Sequence, residues 1–302
     1  MEFFRIFFKS EKPRRSSELH YEGQQQIETT LRIDKRWLSE GDVERVKFIA
    51  RGGFGSVFEV FHRGSYYAGK LFTELENPES FGYDEATILR KVEEIENECY
   101  FLSELCHPNI VQFRGVVQRK WNDIYIPLWM LMDLEDKPLS ALIDSGVDPI
   151  ECSRQIIEGL KFMHARNFVH RDLKPANILV SFDGVLKISD LGLTKYIDHT
   201  NIHSHSGTPF YMAPEVAHRR YSASADIFSY GVILCEMLIK QSPNEDSLRK
   251  EYRAQAIATA PEFANLIKGC LTIDPHRRWT IDRILAELDS IEASQNIYLS
   301  NN

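Results

Sequence analysis

A short polar segment near the middle of the chain carries the residues best suited to chemistry. It reads His170-Arg171-Asp172-Leu173-Lys174-Pro175-Ala176-Asn177, and Asp190 follows eighteen residues after Asp172. The Asp172 carboxylate can accept a proton from an attacking hydroxyl group. The Asn177 amide oxygen and the Asp190 carboxylate are hard oxygen ligands of the kind that Mg²⁺ prefers. The segment therefore predicts a catalytic base together with two magnesium ligands.

Two features upstream could bind phosphate groups. Gly52, Gly53 and Gly55 lie between two strand-like runs, where glycines let the backbone approach a phosphate without an obstructing Cβ. Lys70, on the next run, could hold phosphate oxygens, and Glu98 could fix the position of that lysine. Each feature alone also fits an ordinary hairpin, a solvated lysine or a surface carboxylate. Together with the polar segment they supply the parts of phosphoryl transfer: charge neutralisation, a positioned lysine and a residue that orients the nucleophile.

The elements that must position these residues fall into two regions. From residue 42 to about residue 130, short alternating runs predict a small antiparallel sheet. One helix is predicted there, over 86–105, because its apolar residues recur at spacings of three and four. A loop that contains Asn77 and Pro78 is predicted before it. After about residue 138 helical patterns dominate, with helices predicted over 153–166, 225–238, 261–270 and 281–291. Short strands are predicted within this region near 178–180 and 186–188.

The predicted fold class is α+β: a bilobal fold with a small antiparallel-sheet N-lobe that carries one main helix, and a larger helical C-lobe. The predicted boundaries are 1–41 for a leader, 42–135 for the N-lobe, 136–292 for the C-lobe and 293–302 for a C-terminal tail. The leader is polar and charged, and we expect it to be mobile or partly docked. Its candidate docking residues are Leu31, Ile33 and Trp37.

Composition excludes several classes of protein. The chain has 36 Lys+Arg against 44 Asp+Glu, a net charge of −8, which argues against a nucleic-acid binder that needs a concentrated basic face. No run approaches the roughly 18 apolar residues that span a bilayer, so stable membrane insertion is not expected. The five scattered cysteines include no C-x-x-C pair. They indicate free thiols in a reducing compartment, the cytoplasm or the nucleus.

In their order and spacing these motifs resemble the eukaryotic protein kinase family. The resemblance covers residues 42–292 and includes the glycine-rich loop, Lys70, the segment 170–177, Asp190 and Ala213-Pro214-Glu215. It implies a protein-kinase-like fold. It also implies ATP as the phosphoryl donor, with Mg²⁺ or alternatively Mn²⁺ as the metal, and a hydroxyl group of a protein as the acceptor.

The resemblance implies a role for each matched position. Lys70 would contact the α- and β-phosphates and pair with Glu98, for which Glu93 and Glu94 are the alternatives. Asp172 would be the catalytic base, and Lys174 would lie near the transferring phosphate, with Thr208 bridging the two. The implied metal ligands are Asn177 and Asp190. The implied nucleotide contacts are Ala50, Gly52, Gly53, Gly55, Val57, Ala68, Lys70, Met132, Asp133, Glu135 and Leu179.

The resemblance also implies the position of the hinge and of two structural contacts. Met132 would lie at the back of the nucleotide pocket, and the hinge would follow at 133–135, where the alignment could shift by one residue. Glu215 would pair with Arg278, and Asp226 would brace the segment that carries the base.

Two positions depart from the family pattern. Ala50 replaces the first loop glycine, and Leu191 replaces the usual phenylalanine between Asp190 and its glycine. Neither change removes a charged group, so the sequence favours an active enzyme over a pseudokinase that serves as a nucleotide-binding scaffold. The Ala213-Pro214-Glu215 platform argues against a third reading, a small-molecule phosphotransferase.

Lys174 and the sequence of residues 207–215 resemble the serine/threonine branch of the family. The sequence of residues 191–193 resembles that of the tyrosine-kinase-like group. The expected partners are therefore a protein substrate with serine or threonine hydroxyls, and an upstream kinase or a second copy for trans-autophosphorylation. Ser204, four residues before Thr208, is the predicted activating phosphosite, with Arg171 as the group that would bind its phosphate.

Overall fold

The computed structural model describes residues 37–38, 43–52, 55–191, 195–196, 209–218, 222–243 and 249–300. These residues form two compact units. One comprises the described residues up to Ser65, together with Gly69–Phe101 and Gly115–Leu131. The other comprises Tyr66–Ala68, Leu102–Arg114 and the described residues from Met132 onward. Gly53, Thr208 and Ser204 lie outside the described residues.

A six-stranded sheet dominates the N-terminal part of the chain. Its strands are β1 (Trp37–Leu38), β2 (Glu44–Gly52), β3 (Gly55–His62), β4 (Ser65–Leu71), β5 (Phe113–Trp121) and β6 (Ile124–Asp133), in the order β1-β5-β6-β4-β3-β2. Strands β2 to β6 form the predicted antiparallel sheet, whereas β1 adds to its edge parallel to β5. The predicted fold class is confirmed. The parallel edge strand, which pairs Trp37 with Val116, lies within the predicted leader.

Three helical segments connect β4 to β5. They are α1 (Thr73–Glu76), a 3-10 turn (Pro78–Phe81) and α2 (Glu85–Glu104). The Asp84 carboxylate accepts the backbone N–H of Thr87 at 2.9 Å and so satisfies one of the free donors at the start of α2. The predicted apolar stripe of α2 is buried, with Ile88 fully inaccessible and Cys99 1% exposed.

The remainder of the chain is mostly helical, as predicted. Its strands are β7 (Lys137–Pro138), β8 (Phe168–Val169), β9 (Ile178–Val180), β10 (Leu186–Ile188) and β11 (Lys195–Tyr196). Its helices are α3 (Pro149–His164), α4 (Ala223–Ile239), α5 (Arg249–Thr259), α6 (Ala264–Cys270) and α7 (Ile281–Ser300). The Asp148 carboxylate caps α3 through the N–H groups of Ile150 and Glu151.

Helix α4 is the core of this part of the chain. Its residues from Ala225 to Met237 are all buried, so the helix is enclosed around its whole circumference. Helix α7 packs on α3 and continues to Ser300, so residues 293–300, placed in the predicted tail, are helical. Among the helices that the structure describes, none has both the length and the apolar character needed to cross a membrane.

Candidate active site

Gly55, at the start of β3, lies directly against the strand that carries Lys70. Gly52 pairs with Gly55 at the end of the β2–β3 ladder. Gly55 adopts a φ of +131°, and a Cβ there would lie 2.5 Å from the Leu71 carbonyl oxygen and 3.9 Å from Cγ of Lys70. Only glycine fits such an approach. The start of β3 is therefore packed closely against β4.

Lys70 makes the ion pair that the sequence predicts. Its ammonium lies 3.1 Å from Oε1 of Glu98 on α2, so Glu98 makes this bond rather than Glu93 or Glu94. Lys70 is only 7% exposed, and its Nζ also lies 5.8 Å from the centre of the Phe72 ring. A buried ammonium needs such a partner to remain charged. The contact of Lys70 with phosphates stays a prediction.

Asp226 on α4 shapes the turn that leads to Asp172. It is 1% exposed, and its Oδ2 accepts hydrogen bonds from Nε2 of His164 at 2.8 Å and from the backbone N–H of His170 at 2.9 Å. Its Oδ1 accepts the backbone N–H of Arg171 at 3.0 Å, where φ is +74°. Burial alone would raise the pKa of the Asp226 carboxyl, but the bond from His164 and these backbone donors hold that pKa below its usual value. The predicted brace is confirmed.

His170 links this turn to the segment that precedes Asp190. Its ring is completely buried, with Nε2 2.8 Å from the Ser189 carbonyl oxygen and Nδ1 accepting the backbone N–H of Asp172 at 3.3 Å. These partners assign a neutral ring with its hydrogen on Nε2. The backbone N–H of Ser189 in turn donates to the Asn177 carbonyl oxygen at 2.8 Å. The chain therefore brings Asp172, Asn177 and Asp190 into one neighbourhood.

Asp172 sits in a compact polar cluster. Its side chain is 9% exposed, and its Oδ2 accepts hydrogen bonds from Nζ of Lys174 at 2.8 Å and from Nδ2 of Asn177 at 3.1 Å. The same amide nitrogen donates to the Asp172 carbonyl oxygen at 2.8 Å. Because the amide group of Asn177 points its nitrogen at Asp172, its oxygen is the atom that can ligate a cation.

The donor set near Asn177 fits magnesium. Asp190 has a left-handed backbone, with a φ of +56°. The residue is exposed, so its carboxylate is accessible to an ion. The described residues contain no group of three or more His, Cys, Asp and Glu side chains able to hold a metal. The Asn177 amide oxygen and the Asp190 carboxylate are hard oxygen ligands, and such a pair suits an ion that takes its other ligands from phosphates and water, as Mg²⁺ does.

The predicted nucleotide contacts lie on different elements. Val57 pairs with Ala50 in the β2–β3 ladder. Val57, Ala68, Met132 and Leu179 are all half-buried, on β3, β4, β6 and β9, whereas Ala50 is exposed. Half-buried apolar side chains of this kind can still bury surface against a planar ring. Their contact with adenine stays a prediction.

At the hinge, two side chains are engaged in ion pairs. The Asp133 carboxylate binds the Arg114 guanidinium in a two-pronged pair, with Nη2 2.8 Å from Oδ2, and Oε1 of Glu135 lies 2.8 Å from Nζ of Lys187. Burial raises the pKa of the Glu135 carboxyl, against the opposing effect of Lys187. Any nucleotide contact of these two residues would therefore use backbone atoms.

Backbone groups of the hinge differ in availability. The N–H of Asp133 donates to the Gln112 carbonyl oxygen at 3.0 Å, and the N–H of Asp136 donates to that of Val180 at 2.9 Å. The two residues that lie between Asp133 and Asp136 are Leu134 and Glu135. Their backbone N–H groups donate no hydrogen bond to the described residues. These two positions can thus offer backbone donors to a ligand.

The predicted pair behind the Ala213-Pro214-Glu215 platform is confirmed. The Arg278 guanidinium, with a fully buried side chain, lies 2.6 Å and 3.0 Å from the two carboxylate oxygens of Glu215. Tyr211 is anchored as well, since its hydroxyl donates to Oε2 of Glu236 at 2.7 Å, and its carbonyl oxygen accepts the Ser229 hydroxyl at 2.9 Å. Burial, and then the bond to Glu236, raise the pKa of the Tyr211 hydroxyl.

Sequence reasoning missed His164, Ser189 and Glu236. Each acts through a partner far along the chain, 62 residues away for His164 and Asp226, and no local spacing indicates such pairs. The only available signal was for Glu236, a carboxylate in an otherwise apolar helical run, which needs partners if it is buried.

Comparison with known proteins identifies the family to which the chain belongs. Residues 43–288 match the protein kinase domain model. The chain is 34% identical over 261 residues to mitogen-activated protein kinase kinase kinase 1 of Arabidopsis thaliana, and 33% identical over 255 residues to mitogen-activated protein kinase kinase kinase 1a of Physcomitrium patens. It is 28% identical over 285 residues to a probable serine/threonine-protein kinase of Dictyostelium discoideum.

The chain therefore belongs to the protein kinase family, as the sequence predicted. The alignments cover 80%, 80% and 87% of this chain, in the same order of relatives. They span only 41%, 32% and 19% of those relatives, so the similarity concerns the kinase domain alone.

Proposed function

We propose that the chain transfers the γ-phosphoryl group of Mg·ATP to serine or threonine hydroxyls of a protein. The observation that carries the proposal is the polar cluster around Asp172, in which Lys174 and Asn177 both bond one carboxylate oxygen. The same segment is linked through His170 to the strand that precedes Asp190. A base, a cation and metal ligands in one neighbourhood are the parts that phosphoryl transfer requires.

In this account Asp172 orients the substrate hydroxyl and receives its proton. Its carboxylate is fixed by Lys174 and Asn177, so it needs little reorganisation when the hydroxyl arrives. Lys174, 24% exposed in its side chain, adds positive charge next to the reacting oxygen. The part-buried pair of Lys70 and Glu98 would present a second fixed ammonium to phosphate oxygens.

Mg·ATP supplies the electrophilic phosphoryl group when it is bound. Asn177 and Asp190 would hold the metal ion, with Mn²⁺ as an alternative to Mg²⁺, and Lys70 would hold the α- and β-phosphates. Gly52, Gly53 and Gly55 would cover the phosphates with backbone N–H groups. The other predicted nucleotide contacts are Ala50, Met132 and the backbone of Asp133 and Glu135, and Val57, Ala68 and Leu179 would enclose the adenine ring.

The proposed substrate class is another protein kinase. Two of the relatives bear the name mitogen-activated protein kinase kinase kinase, which says that those proteins act on protein kinases. We propose the same signalling position for this chain, in the cytoplasm or nucleus, where its five free cysteines would stay reduced. Activation by phosphorylation at Ser204, through an upstream kinase or a second copy, stays a prediction, as does the bridging role of Thr208.

The test is transfer of labelled phosphate from Mg·ATP to a generic protein substrate, followed by phosphoamino acid analysis. We expect label on serine and threonine, and a loss of at least about a hundredfold in Asp172→Asn. The matched control is Asp144→Asn, because Asp144 is an exposed carboxylate outside the cluster, and it should retain the wild-type rate. A wild type that binds ATP without transferring phosphate would instead identify a nucleotide-binding scaffold.

The substrate class is tested separately. A catalytically inactive mitogen-activated protein kinase kinase is offered beside the generic substrate at equal concentration. We expect a higher kcat/KM for the kinase substrate, with label confined to serine and threonine. Equal or lower kcat/KM would contradict the proposed substrate class while leaving the proposed activity intact.

A further inference from the structure

The segment between β4 and α2 is packed rather than loose. In α1, Leu75 is 1% exposed, and Pro78, which begins the following 3-10 turn, is buried. The Leu75 carbonyl oxygen accepts a hydrogen bond from Nη2 of Arg119 on β5 at 2.9 Å. The segment therefore has a fixed place against the sheet, from which it can hold other elements.

Charged and aromatic side chains tie this segment to α2. The Glu74 carboxylate on α1 forms an ion pair with the Lys91 ammonium on α2. Nζ of Lys91 also lies 5.0 Å from the centre of the Tyr83 ring, which stacks on Phe81 with ring centres 5.7 Å apart. The hydrogen bond between Glu74 and Lys91 lowers the pKa of the Glu74 carboxyl and raises that of the Lys91 ammonium, so both groups stay charged near neutral pH.

Lys91 and Glu98 lie on the same face of α2. They are seven residues apart, close to the roughly 7.2 residues of two helical turns. A contact that fixes Lys91 therefore also fixes the rotation of α2 about its axis. That rotation decides whether the Glu98 carboxylate faces Lys70.

A second carboxylate of α1, that of Glu76, binds strand β2 instead of α2. Glu76 binds Nη2 of Arg45 on β2 at 2.5 Å. The Arg45 guanidinium in turn lies 5.5 Å from the centre of the Phe58 ring and 5.0 Å from that of Trp129. Helix α1 is thus bonded both to β2, through Glu76, and to α2, through Glu74. Strand β2 is the strand that precedes the glycine-rich loop.

We propose that Glu74 and Lys91 are positioning residues for phosphoryl transfer: their ion pair holds α2 in the rotation that presents Glu98 to Lys70. The inference rests on the proposed function, because it assumes that the pair of Lys70 and Glu98 serves the reaction. The residues do not touch the reacting groups. They act through Glu98 alone.

The first test compares Glu74→Gln and Lys91→Met with a matched control. Lys161→Met on α3 removes a lysine that also pairs with a carboxylate, Asp282 at 3.5 Å, within the other compact unit. We expect kcat/KM for ATP to fall about threefold to fivefold in both α1–α2 variants, the range that a partly exposed ion pair can supply. Melting temperatures should stay within about a degree of the control. Lys91→Met behaving like Lys161→Met would overturn the inference.

The second test asks whether Lys91 acts through Glu98. Lys91→Met is introduced into a Glu98→Gln background, and the transfer rate is measured, or the affinity for Mg·ATP where transfer is too slow to follow. We expect no further loss, because residues that act through one contact are not additive. A full additional loss would assign Lys91 a merely structural role. If the wild type transfers no phosphate, the proposed function fails first; if it transfers and the effects add, only this inference fails.

Discussion

Gly55 shows, at the scale of one residue, how backbone geometry limits the choice of side chain. Its φ of +131° and the 2.5 Å that would separate a Cβ from the Leu71 carbonyl oxygen both exclude other residues. We expect Gly55→Ala to lower the free energy of unfolding by about 1–3 kcal/mol through backbone strain. It should also raise KM for ATP, because relief of the contact moves the glycine turn away from β4.

Gly64 provides the control for this prediction. It has a φ of +84°, but nothing lies within 4 Å of a Cβ at that position. Gly64→Ala therefore tests left-handed strain without the close contact, and its KM for ATP should equal that of the wild type. Equal effects of the two substitutions on KM would show that the contact with Leu71 does not fix the turn.

The buried carboxylate of Asp226 predicts a dependence of stability on pH. Its folded-state pKa lies below the ordinary value, so its contribution is complete above pH ~4 and is lost as the pH falls through the folded-state pKa. Asp226→Asn should reduce the free energy of unfolding by on the order of 3 kcal/mol near pH 7, because two backbone donors lose a charged acceptor.

Denaturant unfolding of both proteins between pH 3 and pH 7 checks this expectation. The difference in unfolding free energy should shrink as the pH drops below about 4. A difference that stays constant across this range would mean that the pKa of Asp226 is the same in the folded and the unfolded protein.

Among the elements, the sequence predicted those with a strong periodic or alternating pattern. The runs 178–180 and 186–188 are strands β9 and β10, and the helix predicted over 86–105 is α2, shifted by one residue. These elements each bury one clear apolar face, which leaves a readable pattern. The ion pairs of Lys70 with Glu98 and of Glu215 with Arg278 also followed from motifs.

Other elements left no such pattern. Helix α1 has only four residues, which is too short to show a period, and the sequence indicated a loop there. Helix α5 is mainly polar, with Ala256 as its fully buried residue, so its apolar signal is weak. Strand β1 pairs with β5 through backbone groups some eighty residues away, and such pairing depends on tertiary contact.

Strand β1 leads to a prediction about the domain boundary. A chain that begins at Asp42 lacks Trp37 and Leu38 and leaves the β5 edge unpaired, whereas a chain that begins at Asp34 retains both. We expect the shorter chain to melt about 2–4 °C lower, which corresponds to a loss of roughly 1 kcal/mol in a domain of this size. Equal melting temperatures would place the boundary at residue 42, as the sequence suggested.

Across the whole molecule, the cysteines report how closed the helical core is. Cys99, Cys152, Cys235 and Cys270 are buried, whereas Cys106 is exposed. Burial raises the pKa of the Cys152 and Cys235 thiols to about 12, so both are unreactive when folded. An aromatic disulfide reagent at pH 8 should titrate one thiol rapidly in the native protein and all five after unfolding.

Cys106→Ser identifies that thiol. The variant should lose the rapid phase completely and keep the four slow thiols. A rapid phase that persists would mean that the core around α4 opens readily, contrary to its close burial.

We propose that Lys70 and Asp190, on separate elements, serve one phosphoryl transfer. The most direct measurement is the single-turnover rate of transfer from Mg·ATP to a protein serine or threonine in Lys70→Met, in Asp190→Asn and in the double variant. The account predicts a loss of at least about a hundredfold in each single variant and little further loss in the double, because groups that act as a unit are not additive. Either single variant transferring phosphate at the wild-type rate would contradict the claim.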